Sequence, residues 1–217
     1  MKSSPHGSAS RIAAAAIALL TWYALVLQFY VSIQTARATG ASMATTIANF
    51  FSFFTILTNL LVALVLTLSL RKAPSGLSAF AARSSVQTAT AVYIVVVGIV
   101  YSIALRSLWA PEGLQKIADF TLHDAIPVLY LFYWLLFVRK DGLRFSQVSV
   151  WQVYPFVYLV YSLIRGSLTG IYLYPFLDAG QFGYAHVGRS ALVIFAAFLA
   201  LSLLFVVLGR WMPRPSE

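Results

Sequence analysis

The stretch "FFSFFTILTNLL", residues 50–61, decides how the chain is read. Eight of its twelve residues are large and apolar, as a helix in lipid requires, yet Ser52, Thr55, Thr58 and Asn59 bring hydroxyls and an amide into it. On a continuous helix Ser52, Thr55 and Asn59 stand at i, i+3 and i+7 and share one face. Such a stripe either bonds to neighbouring helices, as polar residues of membrane helices commonly do, or lines a cavity. The rest of the chain bears on that choice.

Of 217 residues 60% are hydrophobic and only 10% charged, with a mean hydropathy of +0.83. A soluble domain carries about 25% charged residues, so the chain reads as an integral membrane protein with an all-α fold. Segments of about 20 apolar residues cross a bilayer. Six are predicted, at 12–34, 49–70, 86–108, 119–138, 152–170 and 187–209. They form one transmembrane domain over 12–209, with tails at 1–11 and 210–217. The connectors carry the expected breakers, Pro111 and Gly113 in one and Pro175 in another. The first apolar run resembles a signal peptide in its flanks, but it exceeds the 7–15 residues or so of a signal core, and it is expected to be retained.

Basic residues orient the bundle. Lys2 and Arg11, then Arg71, Lys72 and Arg83, then Arg139, Lys140 and Arg144, then Arg210 and Arg214 all fall on one side if there are six spans. Both termini are therefore expected to be cytoplasmic, in a multi-pass protein of a cell membrane, taken as a bacterial plasma membrane. The net charge of +9 is assigned to this inner face and to anionic lipid headgroups rather than to nucleic acid. There is no cysteine, which excludes disulfides and thiolate chemistry. His6, His123 and His186 are too dispersed to suggest a metal site, and no cofactor is expected.

With that orientation, polar residues from five spans share a depth near the outer surface. These are Thr55, the group Asp119, His123 and Asp124, then Arg106, Arg165 and Arg189. Charge inside a membrane usually faces a cavity or a partner. Tyr154, Tyr158, Tyr161 and Arg165 form a stripe at spacings of 4, 3 and 4. The expectation is an outward-facing polar cavity with aromatic walls, and Pro127 is expected to kink the fourth span and open it. Snorkelling of the arginines and an aromatic belt of tyrosines are the competing structural readings.

A hydroxyl beside a base oriented by a third group makes a nucleophilic catalyst. Thr55 or Thr58 with His123, oriented by Asp119 or Asp124, satisfies that pattern, and Asn59 is a candidate donor to a developing oxyanion. Arg165 or Arg106 suits a substrate carboxylate. The expected partners are an amphipathic ester and the surrounding lipid. The rival is a carrier or receptor for an amphipathic anion that does no chemistry.

Three segments resemble the androgen-induced integral-membrane threonine hydrolases and their bacterial six-helix relatives. "FFSFFTILTN" is similar to their first motif, "LHDAIPVL" (122–129) to their His-to-Pro segment, and "TGIYLYPFLD" (169–178) to their Thr-Gly…Tyr-Pro-Phe-Leu-acid motif. The resemblance spans most of the second to fifth helices. It implies hydrolysis of fatty-acid esters of hydroxy fatty acids, with Thr55 as nucleophile and His123 as base. Tyr174, in the third motif, and Tyr161, in the tyrosine stripe of the fifth span, are expected on the substrate side. The interval from His123 to Pro127 is one residue shorter than in the animal members, and "RGSL" (165–168) stands where they carry histidines.

Overall fold

The computed structural model describes residues 7–71 and 75–212. Lys2, His6, Lys72 and Arg214 lie outside the described residues. Everything regular among the described residues is helical. Helix α1 (Ser8–Thr39) ends at Gly40, whose positive φ of 69° lets its N–H reach back to Ala36 O. Then come α2 (Met43–Phe50), α3 (Phe54–Ser69), the short α4 (Leu77–Ala81) and α5 (Ser84–Val100). Next are α6 (Gly113–Phe120), α7 (Ile126–Phe137), α8 (Ser146–Trp151), α9 (Val153–Thr169) and α10 (Ala179–Trp211).

Four helical stretches are long and apolar enough to cross a membrane: Ser8–Thr39, Ser84–Leu108, Gly113–Phe137 and Ala179–Trp211. The α2–α3 pair makes a fifth if its two arms are one span. Large apolar side chains cover the outside, among them Leu19 and Val26 of α1, Phe132 and Leu136 of α7, and Leu192 and Val193 of α10. Soluble proteins rarely expose such a surface, and these helices suit a multi-pass membrane protein. The Ser84–Leu108 stretch that begins with α5 is central, with 56% of its most apolar part buried against 22% for α10. Its Val92 and Ile94 meet Val62 and Leu66 of α3, Tyr130 and Trp134 of α7 and Phe205 of α10 in the main core.

Polar groups inside this core bond between helices. Trp134 Nε1 donates to Thr88 Oγ1 at 2.9 Å, Tyr93 Oη to Trp151 O at 2.7 Å, and Gln152 Nε2 to Ser202 Oγ at 3.0 Å. The basic connectors meet at one end. Arg11 donates to Leu70 O at 2.9 Å, Trp151 Nε1 to Ser85 Oγ at 3.0 Å beside Arg83, and Arg210 lies over the Phe145 ring at 4.5 Å.

The expected continuous span at 49–70 is broken. Its two arms meet at 62° around Phe51, Ser52 and Phe53. The break has a local cause. Ser52 Oγ donates to Ala48 O at 2.6 Å and Ser52 N–H to Asn49 O at 2.9 Å, which closes α2 early. The carbonyl of Ser52, freed by the break, accepts from Tyr158 Oη at 3.0 Å. The common face inferred for Ser52, Thr55 and Asn59 therefore does not exist, because Ser52 lies in the bend.

Candidate functional site

Two of the helical stretches at the site contain a π turn, a widened turn common at functional positions. One is Tyr101–Leu105, directly after α5; the other is Thr121–Ala125, between α6 and α7. The second follows from the sequence. Pro127 has no N–H to bond His123 O, and its ring crowds that carbonyl in an α-helix. The chain widens instead, and Ile126 N–H bonds Thr121 O. Helix α5 packs closely there. A Cβ on Gly98 would lie 3.1 Å from Pro127 Cβ and 3.2 Å from His123 O. Pro127 thus re-aims His123 through a π turn. No proline marks the first π turn.

The two π turns bring Tyr101 and His123 face to face, ring centroids 4.0 Å apart and planes 14° apart. Tyr101 Oη donates to Asp119 Oδ2. His123 Nδ1 lies 3.0 Å from Asp119 O and 3.2 Å from Asp119 Oδ1. The carbonyl can only accept, so Nδ1 carries the proton and donates to it. The carboxylate oxygen is close but poorly aligned, and Oδ1 has no hydrogen bond of its own. Nε2 is left as the basic nitrogen, and no partner occupies it among the described residues. Asp124 turns away and pairs with Arg106, whose guanidinium also lies 4.8 Å from the Tyr101 ring centre. Of the two candidate orienters, Asp119 is the one at the imidazole.

Thr55 is buried, at 8% exposure, with its N–H 3.4 Å from Tyr174 Oη. The Thr-Gly…Tyr-Pro-Phe-Leu-Asp segment delivers that tyrosine. Gly170, at φ 70°, ends α9 and bonds Gly166 O at 2.8 Å. A 3-10 turn follows at Pro175–Leu177, and Asp178 caps α10 by accepting from Gln181 N–H at 2.8 Å. Tyr174 is held between Phe53, edge-on at 5.9 Å, and Phe176, stacked at 5.2 Å.

Thr55, Asp119, His123 and Tyr174 line one cavity of about 510 Å³, within the size range of small-molecule sites. Its lining runs out to Thr39 at the end of α1 and to Leu108 and Trp109 after the first π turn. A tighter apolar slot of about 80 Å³ lies behind it, between α5, α9 and α10. Thr55, Tyr101, Leu105 and Tyr174 belong to both.

Several expected site residues lie elsewhere. Thr58 is fully buried and bonds Tyr154 Oη at 3.2 Å, off both cavities. Asn59 spends both amide protons on backbone, 2.9 Å to Thr55 O and 3.3 Å to Leu122 O, so it ties α3 to the π turn and has no donor left for an oxyanion. Arg106 and Arg165 are not on the cavity wall. Arg165 donates to Ile171 O at 3.0 Å and to Asn49 Oδ1, with neither Asp119 nor Asp124 as partner. Tyr161 bonds Ser52 Oγ at 2.6 Å. The stripe Tyr154, Tyr158, Tyr161 and Arg165 is thus bonded rung by rung to the broken second span. Only Tyr158 reaches the slot.

The wall that sequence reading missed belongs to α1. Gln28, Ser32, Thr35 and Thr39 line the cavity, joined by Gln115 of α6 and Asn49 of α2. The four α1 residues, at spacings of 4, 3 and 4, were legible in the sequence as the same kind of stripe, running past residue 34 where the first span was expected to end. His186 packs against Phe182 at 5.0 Å, and Arg189 is exposed on α10. No set of three His, Asp or Glu side chains among the described residues suits a metal ion. No protein-family model, curated protein or solved structure matches the chain.

Proposed function

We propose that this is a membrane hydrolase that cleaves an amphipathic ester through an acyl-threonine intermediate. One observation carries the reading: Thr55 and His123 line the same cavity, with Asp119 holding the imidazole so that Nε2 is the free base. His123 Nε2 takes the proton of Thr55 as its Oγ attacks the ester carbonyl carbon. The tetrahedral intermediate expels the alcohol, which takes that proton from Nε2. Water then attacks the acyl carbon, giving its proton to Nε2, and collapse releases the acid and returns the proton to Thr55. Tyr174 Oη, which accepts from Thr55 N–H and also meets the Thr55 and Tyr158 side chains, is the hydroxyl next to the attacked carbon and the candidate donor to the developing oxyanion. The slot behind Thr55 suits an acyl chain. A fatty-acid ester of a hydroxy fatty acid is the substrate that the resemblance suggests.

The same proposal includes six spans with both termini in the cytoplasm of a cell membrane. Helix α9, at 17 residues, rises about 26 Å, which suits a short span set nearly along the bilayer normal. Clustering of Arg11, Arg83 and Arg210 at one end supports the orientation.

The test is labelling of the purified protein with a fluorophosphonate probe and mapping of the modified residue. Labelling at Thr55, lost in His123→Ala, is expected. Labelling at Thr58, or ester turnover unchanged in Thr55→Ala, would overturn the assignment.

A further inference from the structure

The α1 wall has no role in that mechanism, and its hydrogen-bonding pattern points to a particular ligand. Thr39 Oγ1 donates to Thr35 O at 2.9 Å and Thr46 Oγ1 to Ser42 O at 3.0 Å. Each of these hydroxyls has given its proton to its own helix, so each offers the cavity an acceptor. Asn49 Oδ1 is taken by Arg165, which leaves its amide N–H groups as donors. Gln28 and Gln115 bond to each other reciprocally, at 3.3 and 3.0 Å. The second proton of Gln28 goes to Ser32 at 3.4 Å, while Gln115 keeps one N–H to spare. Donors and acceptors therefore alternate around one end of the cavity.

The charges of the wall narrow the choice. No Lys or Arg lines it, and its one carboxylate is Asp119. An anionic head would accept only, leaving Thr39 and Thr46 unmatched, and would face Asp119 with no cation on the wall. A hydroxyl both donates and accepts, and so matches both kinds of group. At the other end, Thr55 and Tyr174 open onto the apolar slot lined by Val97, Leu159 and Phe195.

We propose that the α1 wall is a head-group subsite for an uncharged polyol, so that the substrate is a monoacyl ester of a glycerol-like alcohol. The hydroxylated head lies against Thr39, Thr46, Asn49 and Gln115. The acyl chain runs along the slot, and the ester carbon sits at Thr55 between them. This rests on the hydrolase reading and departs from the carboxylate-bearing ester that the resemblance suggests.

The experiment uses the full chain in nanodiscs. A 1-O-alkylglycerol, an ether with no bond to cleave, and an alkyl carboxylate of equal chain length are titrated while the fluorescence of Trp109 at the cavity is followed against a Trp109→Phe control. Hydrolysis of a 1-monoacylglycerol and of a carboxylate-bearing ester is measured in parallel. Thr39→Val and Gln115→Leu are expected to weaken alkylglycerol binding about tenfold. They should raise KM for the monoacylglycerol similarly, with kcat nearly unchanged. Thr39 is exposed at a helix end, so its variant keeps the test sound if Gln115→Leu fails to fold. Tighter binding of the carboxylate than of the alkylglycerol, or indifference of the alkylglycerol to both variants, overturns the subsite. Alkylglycerol binding that depends on both variants, with no ester turned over, leaves the subsite standing and removes the hydrolase reading. Ester hydrolysis that ignores the variants does the reverse.

Discussion

The Tyr101 ring lies parallel to the His123 imidazole at 4.0 Å, and its hydroxyl donates to the carboxylate of Asp119, which in turn borders His123 Nδ1. One residue therefore fixes both the plane of the base and the group behind it. Tyr101→Phe keeps the stack and removes the hydrogen bond; Tyr101→Leu removes both. Loss of a hydrogen bond to a charged group is worth about 1.5–3 kcal/mol. Felt in the transition state, that loss lowers kcat roughly 10- to 150-fold in the Phe variant, and further in Leu, with KM little changed. A KM effect without a kcat effect would assign Tyr101 to binding instead.

Thr55 and His123 act on the same proton, so their losses should not add. Thr55→Ala and His123→Ala each abolish ester hydrolysis in folded protein, and the double variant is little worse than either single one. Thr58→Ala should retain turnover and lose stability by about 1–2 kcal/mol, because it strands the half-buried Tyr154 hydroxyl. Steady-state kinetics and thermal melts in detergent check the three together.

Arg165 joins α2 to the loop after α9 through Asn49 and Ile171. Arg165→Gln is expected to lower the melting temperature and to reduce hydrolysis of neutral and carboxylate-bearing esters equally. A selective rise in KM for the carboxylate-bearing esters would instead make it a ligand for the substrate's anionic end.

Gly98 lets α5 approach the π turn that carries His123. Its Cβ would meet a proline ring and a backbone carbonyl at 3.1 and 3.2 Å, neither of which yields as a flexible side chain does. Gly98→Ala should cost about 1–3 kcal/mol by overpacking, and Gly98→Val more. Activity should fall beyond what the lost folded fraction explains, because the displaced carbonyl is that of His123.

At the basic end of the bundle, Lys140 Nζ donates to Trp134 O and Leu135 O at 2.8 and 2.7 Å and closes the end of α7. Burial lowers its pKa from 10.5 to about 8. Below pH 8 both folded and unfolded chains hold the proton, and the cost of burying the ammonium is present in full. Between about pH 8 and 10.5 the unfolded chain binds more protons, so this group makes stability rise with pH across that window. The difference in melting temperature between wild type and Lys140→Met should therefore widen from pH 8 to 10 in favour of wild type. A difference that stays flat would show that Lys140 does not titrate there.

Some of this was written in the sequence. Hydropathy placed six apolar segments where helices occur, because burial in lipid demands about 20 apolar residues whatever they pack against. Basic residues marked the end at which Arg11, Arg83 and Arg210 cluster, because charge is excluded from the bilayer core. Helical spacing put His123 beside Asp119, an i, i+4 pair that local geometry fixes.

What the sequence left open depended on contacts between distant segments. Asp119 and Asp124 both flank His123, and only the position of Arg106 and Tyr101 on another helix drew Asp124 away and held Asp119 in place. Thr55 and Thr58 differ by less than one turn, yet Tyr154 covers one and the cavity opens at the other. The tyrosine stripe of α9 and the Gln–Ser–Thr stripe of α1 have the same spacing. Periodicity says which residues share a face; it cannot say whether that face meets a hydrogen-bonding neighbour or an empty space. The bend at Ser52 settled that for both stripes. There the α9 tyrosines bond to the broken backbone and side chain of Ser52, while the Gln28–Thr39 face of α1, which otherwise packs on the second span, is left to the cavity.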